Sequence, residues 1–180
     1  MPIMTYYLYH WVPKDMEGDT LYPLNALKEM HPELYDKKAE KYSWRKQVME
    51  RKVWPLDCLW NDVLHFTAVH PADVKKAMEE AGDTERYETR CYQIDPKLLD
   101  PAKTTVLLYT HEPEKQYGPS DYATFDPDGL EPYTVIPEVT KEYYRKCFAE
   151  GKNPLVYPWV PHIFYKGSLG VKDLPIVTVD

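Results

Sequence analysis

The chain has 180 residues, 43% of them apolar, enough for one domain whose core removes roughly 70% of the unfolded surface from water. Twenty-two basic against 29 acidic residues leave a formal net charge of −7 with no block of Lys or Arg, which disfavours a broad grip on nucleic-acid phosphates. A mean hydropathy of −0.60 and the lack of any apolar run of bilayer-spanning length argue against a membrane partner, and the opening Met1–Tyr6 lacks the basic and apolar stretches of a secretory signal, so a soluble cytoplasmic protein is expected.

In chain order, Ile3 to Val12 is rich in aromatic and β-branched residues and is stopped by Pro13, which predicts a first strand. Its alternation puts Tyr7, Tyr9 and Trp11 on one face and Tyr6, Leu8 and His10 on the other. Gly18 marks the turn that follows. From Tyr22 to about Met49 the pattern is helical but broken, with Leu24 and Leu27 first and a short helix opened by Pro32 next. Val63 to Val69 reads as a central strand. Pro71 at a first helical position, Asp73 in the first turn and Gly82 after the last then define a helix over 71–81.

Further on, Tyr87–Ile94 and Thr104–Tyr109 read as strands separated by a turn over 95–100. The proline- and acid-rich stretch 111–134 lacks periodicity and is expected to be a long surface loop. Pro137 opens a second helix, with the stripe Val139, Tyr143, Tyr144 and Cys147 and a stop at Gly151. Strands around Pro161–Tyr165 and Leu174–Val179, joined through Lys166-Gly167-Ser168, close the chain. About six strands with helices clustered early and late predict an α+β domain. Three cysteines without CxxC spacing fit buried thiols in a reducing compartment and imply no metal.

Histidines dominate the candidates for chemistry. His10, His65 and His162 each fall in or beside an apolar strand, where an imidazole needs a hydrogen-bond partner or a cleft to face. Each can be a structural histidine, and a shared cleft is the functional alternative. His31 and His70 precede prolines and read as turn or helix-start residues. Alternation puts His65 and Thr67 on one face, a pair able to hold a phosphate or ribose oxygen. Arg45 can clamp a phosphate as a bidentate donor or stand solvated at a helix end. The aromatic first strand, Trp11 included, can stack on a nicotinamide or adenine ring or serve as a plain core edge. No Gly-rich phosphate loop, HExxH or GxSxG pattern is present, which excludes P-loop, Rossmann, zincin and hydrolase-elbow chemistry.

Taken in order, a first strand ending Tyr9-His10, early helices, Arg45, a strand with His65 and Thr67, and late strands around Pro161-His162-Ile163-Phe164-Tyr165-Lys166-Gly167 resemble the ADP-ribosyltransferase fold, in its histidine-bearing branch with the RNA 2′-phosphotransferases. The likeness is loose and spread over most of the chain. It implies a split, bent, mainly antiparallel β core with NAD in a central cleft. His10 would bond the nicotinamide ribose and Thr67 would support the pocket. Trp11 and Arg45 would complete the cofactor site, with transfer of ADP-ribose to an acceptor as the activity. His162 stands where that family carries a catalytic glutamate, and an imidazole does not stabilise a cationic ribosyl centre as a carboxylate does.

Two other readings compete. Leu64-His65-Phe66-Thr67 looks like half of a two-histidine phosphoesterase motif acting on cyclic or oligonucleotide phosphodiesters, with His162 as the second histidine. The tyrosine content and the 111–134 segment also fit a non-catalytic interaction module.

Overall fold

A computed structural model describes residues 5–40, 42–43, 46–85, 87–110 and 115–180. In it the first strand, β1, is Leu8–Trp11: Ile3 and Met4 of the predicted run lie outside the described residues, the pairing with Thr89–Ile94 begins at Leu8, and Pro13 follows on the other side. Next come β2 (Thr20–Leu21), α1 (Leu24–Met30), α2 (Pro32–Glu40), α3 (Lys46–Met49), β3 (Lys52–Val53), β4 (Cys58–Leu59) and β5 (Leu64–Phe66). Helix α4 spans Pro71–Ala81. The second half holds β6 (Thr89–Ile94), β7 (Thr104–Leu107), β8 (Tyr122–Thr124), α5 (Glu138–Ala149), β9 (His162–Tyr165), β10 (Leu169–Gly170) and β11 (Ile176–Val179).

These elements make an α+β fold with antiparallel sheets. One sheet runs β1-β6-β11, and a second runs β5-β9-β7-β8. Among the described residues one backbone rung joins the two sheets, where the Tyr9 N–H donates to the Thr67 carbonyl at 2.8 Å and the Thr67 N–H to the Tyr9 carbonyl at 3.2 Å. Two small two-stranded ladders, β10-β2 and β3-β4, stand apart from these sheets in their pairing.

The core follows from this arrangement. Strand β7 lies between β9 and β8 and is buried along its whole length, so its Thr-Thr-Val-Leu sequence needs no polar alternation. Leu8, Phe66, Ile94, Val106 and Ile163 form the main cluster between the sheets. Val69, Val74, Tyr144 and Val160 pack where α4 meets α5. Helix α4 has the ends its sequence prescribes: the His70 side chain accepts from the Ala72 N–H, Pro71 takes the first turn, and Gly82 adopts φ 116° at the end, a conformation costly for any residue with a Cβ. Cys58 and Cys91 are buried, and burial pushes both thiols up to about 11.

Two expectations need correction. The 111–134 stretch is not all loop: residues 111–114 lie outside the described set, but Tyr122–Thr124 forms β8 on the edge of β7. On α5 the predicted stripe holds in part: Tyr144 is buried and Tyr143 and Cys147 are half-buried, but Val139 is exposed and Thr140 is buried instead. The polar side chains win because each has a partner inside. The Thr140 hydroxyl donates to the Pro158 carbonyl at 2.6 Å, and the Tyr144 hydroxyl donates to the Val156 carbonyl. Of the described helices none is long and apolar enough to cross a membrane.

Candidate functional site

A cleft of about 890 Å³ opens beside the corner where the two sheets meet. Its walls come from β1, the 13–20 loop, α1, α2, the 61–65 segment and the start of β6. The loop turns at Gly18, with φ 73°. It is tied to the helices by Glu17 with His31 at 2.9 Å and by Asp15 with Lys37 at 2.8 Å.

His10 faces this cleft from β1. Its Nδ1–H donates to the Trp11 carbonyl at 2.7 Å, and its ring edges against Phe66 at 5.8 Å between centroids. That bond fixes the tautomer, so Nε2 carries the lone pair and can accept a hydrogen bond. Burial holds the imidazole below the ordinary histidine range, opposed in part by the Trp11 carbonyl, so His10 is neutral at pH 7.

His65 also lines the cleft, and here Nε2–H donates to the Trp60 carbonyl at 2.9 Å. The preceding turn is well tied down: Asp62 accepts from the Leu59 N–H and from Asn25 Nδ2, both at 2.7 Å. Within that turn, Asn61 is 3% exposed, and its Nδ2 has no hydrogen-bond partner among the described residues although Asn61 lines the cleft. A buried amide donor left unpaired is expensive, which marks this wall as a place for an acceptor atom.

The remaining candidates separate. Trp11 lines the cleft but is 49% exposed and leans on Tyr157 at 5.9 Å. Thr67 is not among the lining residues: it is 6% exposed, and its hydroxyl oxygen accepts from the Val69 N–H at 3.1 Å. Strand alternation puts His65 and Thr67 on one face, but the chain leaves β5 at Phe66, and Thr67 serves the rung to Tyr9. His162 stands behind the cleft wall, not in it. It is stacked on Tyr109 at 5.2 Å, edge-on to Tyr157 at 6.3 Å and 6.4 Å from the His65 ring. Its Nδ1–H donates to the Val160 carbonyl at 2.7 Å, and burial pushes its pKa down to about 4. Tyr109, its stacking partner, has left-handed backbone at φ 56°, as does Trp159, three residues ahead of it in the chain, at φ 58°. Arg45 lies outside the described residues.

Sequence reasoning missed three participants. His31 reads as a turn residue before Pro32, yet it lines the cleft from the end of α1. Asn61 stands just ahead of the predicted strand Val63–Val69 and has no role of its own in the sequence reading. Glu88, just ahead of β6, is a cleft carboxylate with no ion pair among the described residues. Lys14, Lys38 and Arg90 add positive charge to the same walls. No single motif announces these residues, because they converge only when α1 and α2 fold back towards β1 and β6. Compared with protein-family models, curated proteins and solved structures, the chain finds no match in any of the three.

Proposed function

We propose that the cleft binds NAD or a related nucleotide and that the protein works in the manner of ADP-ribosyltransferases, moving ADP-ribose to an acceptor. The observation that carries this reading is His10 on the first strand, neutral and locked by the Trp11 carbonyl with Nε2 left as an acceptor for a ribose hydroxyl. The cleft volume of about 890 Å³ lies within the ~300–1,000 Å³ usual for ligand sites. Lys14, Lys38 and Arg90 offer charge to a diphosphate, and Asn61 offers a donor to a carbonyl or hydroxyl oxygen.

Glu88 takes the part that His162 does not fill. In transfer, the bond from ribose C1′ to the nicotinamide nitrogen breaks, and the acceptor's nucleophile bonds C1′ and gives up its proton. A carboxylate beside C1′ stabilises the positive charge that develops there. The test is calorimetric titration of NAD into the wild type, His10→Ala and Glu88→Gln, with nicotinamide release followed in parallel. His10→Ala is expected to weaken binding at least tenfold. Glu88→Gln is expected to keep binding and lose most of the release. A folded wild type that takes up no NAD at millimolar concentration would sink the proposal.

A second reading rests on the 6.4 Å between the His65 and His162 rings, close enough for a two-histidine phosphoesterase pair. Turnover of a 2′,3′-cyclic nucleotide by the wild type, with none of NAD, would favour it.

A further inference from the structure

Trp11, Tyr87 and Thr89 each line two cavities: the cleft, and on their other side a smaller chamber of about 190 Å³. This half-open chamber is lined by α4, the end of α5 and the 153–157 segment. Its walls are aromatic, with Trp11, Tyr87, Phe148 and Tyr157 around it and Met78 beside the Tyr87 hydroxyl at 3.6 Å. The volume falls below the ~300 Å³ at which drug-sized sites begin, so it suits one ring and not a nucleotide.

Lys75 of α4 lines this chamber and is 6% exposed. Its ammonium has three donors but, among the described residues, one acceptor, the Tyr87 carbonyl, at a long 3.4 Å, with the Tyr87 ring centroid 5.5 Å away. A buried cation so thinly served calls for an anion. The acids nearby are Asp83 and Glu85. The Asp83 carboxylate is occupied by the Glu85 N–H at 3.0 Å and the Tyr87 O–H at 3.3 Å, and Glu85 is exposed. Neither is ion-paired with Lys75, and both repel a dianion such as phosphate.

We propose that this chamber is a second binding site, for a small aromatic monoanion of the single-ring carboxylate class. The ring lies among Trp11, Tyr87, Phe148 and Tyr157, and the carboxylate meets the Lys75 ammonium. The site stands independently of the nucleotide reading.

The test titrates benzoate, and neutral benzyl alcohol as its control, into protein carrying 13C-methyl methionine. Met78 lines the chamber and Met16 lines the cleft, so their methyl signals report the two sites separately. Saturable movement of the Met78 signal by benzoate is expected, with benzyl alcohol and the Lys75→Met variant each at least tenfold weaker. The comparison of the two probes in the wild type does not depend on how the variant folds. Movement of Met16 alone, equal binding of the neutral probe, or no saturation at tens of millimolar benzoate would each overturn the proposal.

Discussion

His10 and His31 look onto an open cleft with charged side chains on its walls, whereas His162 is closed in by Tyr109, Tyr157 and Phe164 one strand away. In the first region the ring nitrogens are divided between one protein partner and a space a ligand can enter. In the second, aromatic faces do the enclosing, and a charged imidazole is penalised heavily enough to titrate near 4. The difference teaches that histidines in apolar strands can meet opposite surroundings: His10 stands at an open cleft, and His162 stands among aromatic faces. Trp60 and His65 stand between, the former stacked beneath Arg51 at 4.7 Å and edge-on to Phe164 at 4.9 Å.

The largest effect that separates the two regions is expected from Phe164→Ala. Phe164 is fully buried, and its loss should cost about 3–5 kcal/mol in urea unfolding, against less than about 1 kcal/mol for His10→Ala. Equal costs for the two variants would erase the distinction. A pH series comes next. His162 titrates near 4 in the fold and near its ordinary ~6.5 when unfolded, so between those values the unfolded chain binds more protons. Stability is then full above about 6.5 and falls by up to about 3 kcal/mol as pH drops towards 4. His162→Phe should flatten most of that slope, and His10, also lowered, keeps the remainder. A slope untouched by the substitution would show that His162 is hydrated. The smallest effect is expected from Thr67→Val, which removes the bond to the Val69 N–H for about 0.5–1.5 kcal/mol and leaves NAD titration unchanged. Loss of NAD binding would return Thr67 to the cleft.

What was legible in the sequence is what short-range chemistry decides. Pro71 and Gly82 bracket α4 because a ring without N–H and a residue without Cβ suit those two places. Pro32 opens α2 for the same reason. Strand β8 was hidden, since Tyr-Ala-Thr between proline- and aspartate-rich stretches becomes a strand only by pairing with β7. The site was half legible. His10 and His65 stood out as imidazoles in apolar strands. The roles of His31, Asn61 and Glu88 depend on how α1, the 61–65 segment and β6 meet, a matter of tertiary contact. His65 and His162 come together because β5 pairs with β9 in a register that sets His65 opposite Phe164, which strand periodicity alone does not specify.

The single rung between Tyr9 and Thr67 also bears on how the protein behaves in a crowded solution. Strands β1 and β5 are the end strands of their sheets, and each covers part of the other's unpaired backbone. An unpaired strand end is a template for another chain, so turning two such ends on each other removes two places where aggregation could start. In these two sheets the outer strands that remain are β8 and β11, of three and four residues. Edges that short give a neighbouring molecule little to extend.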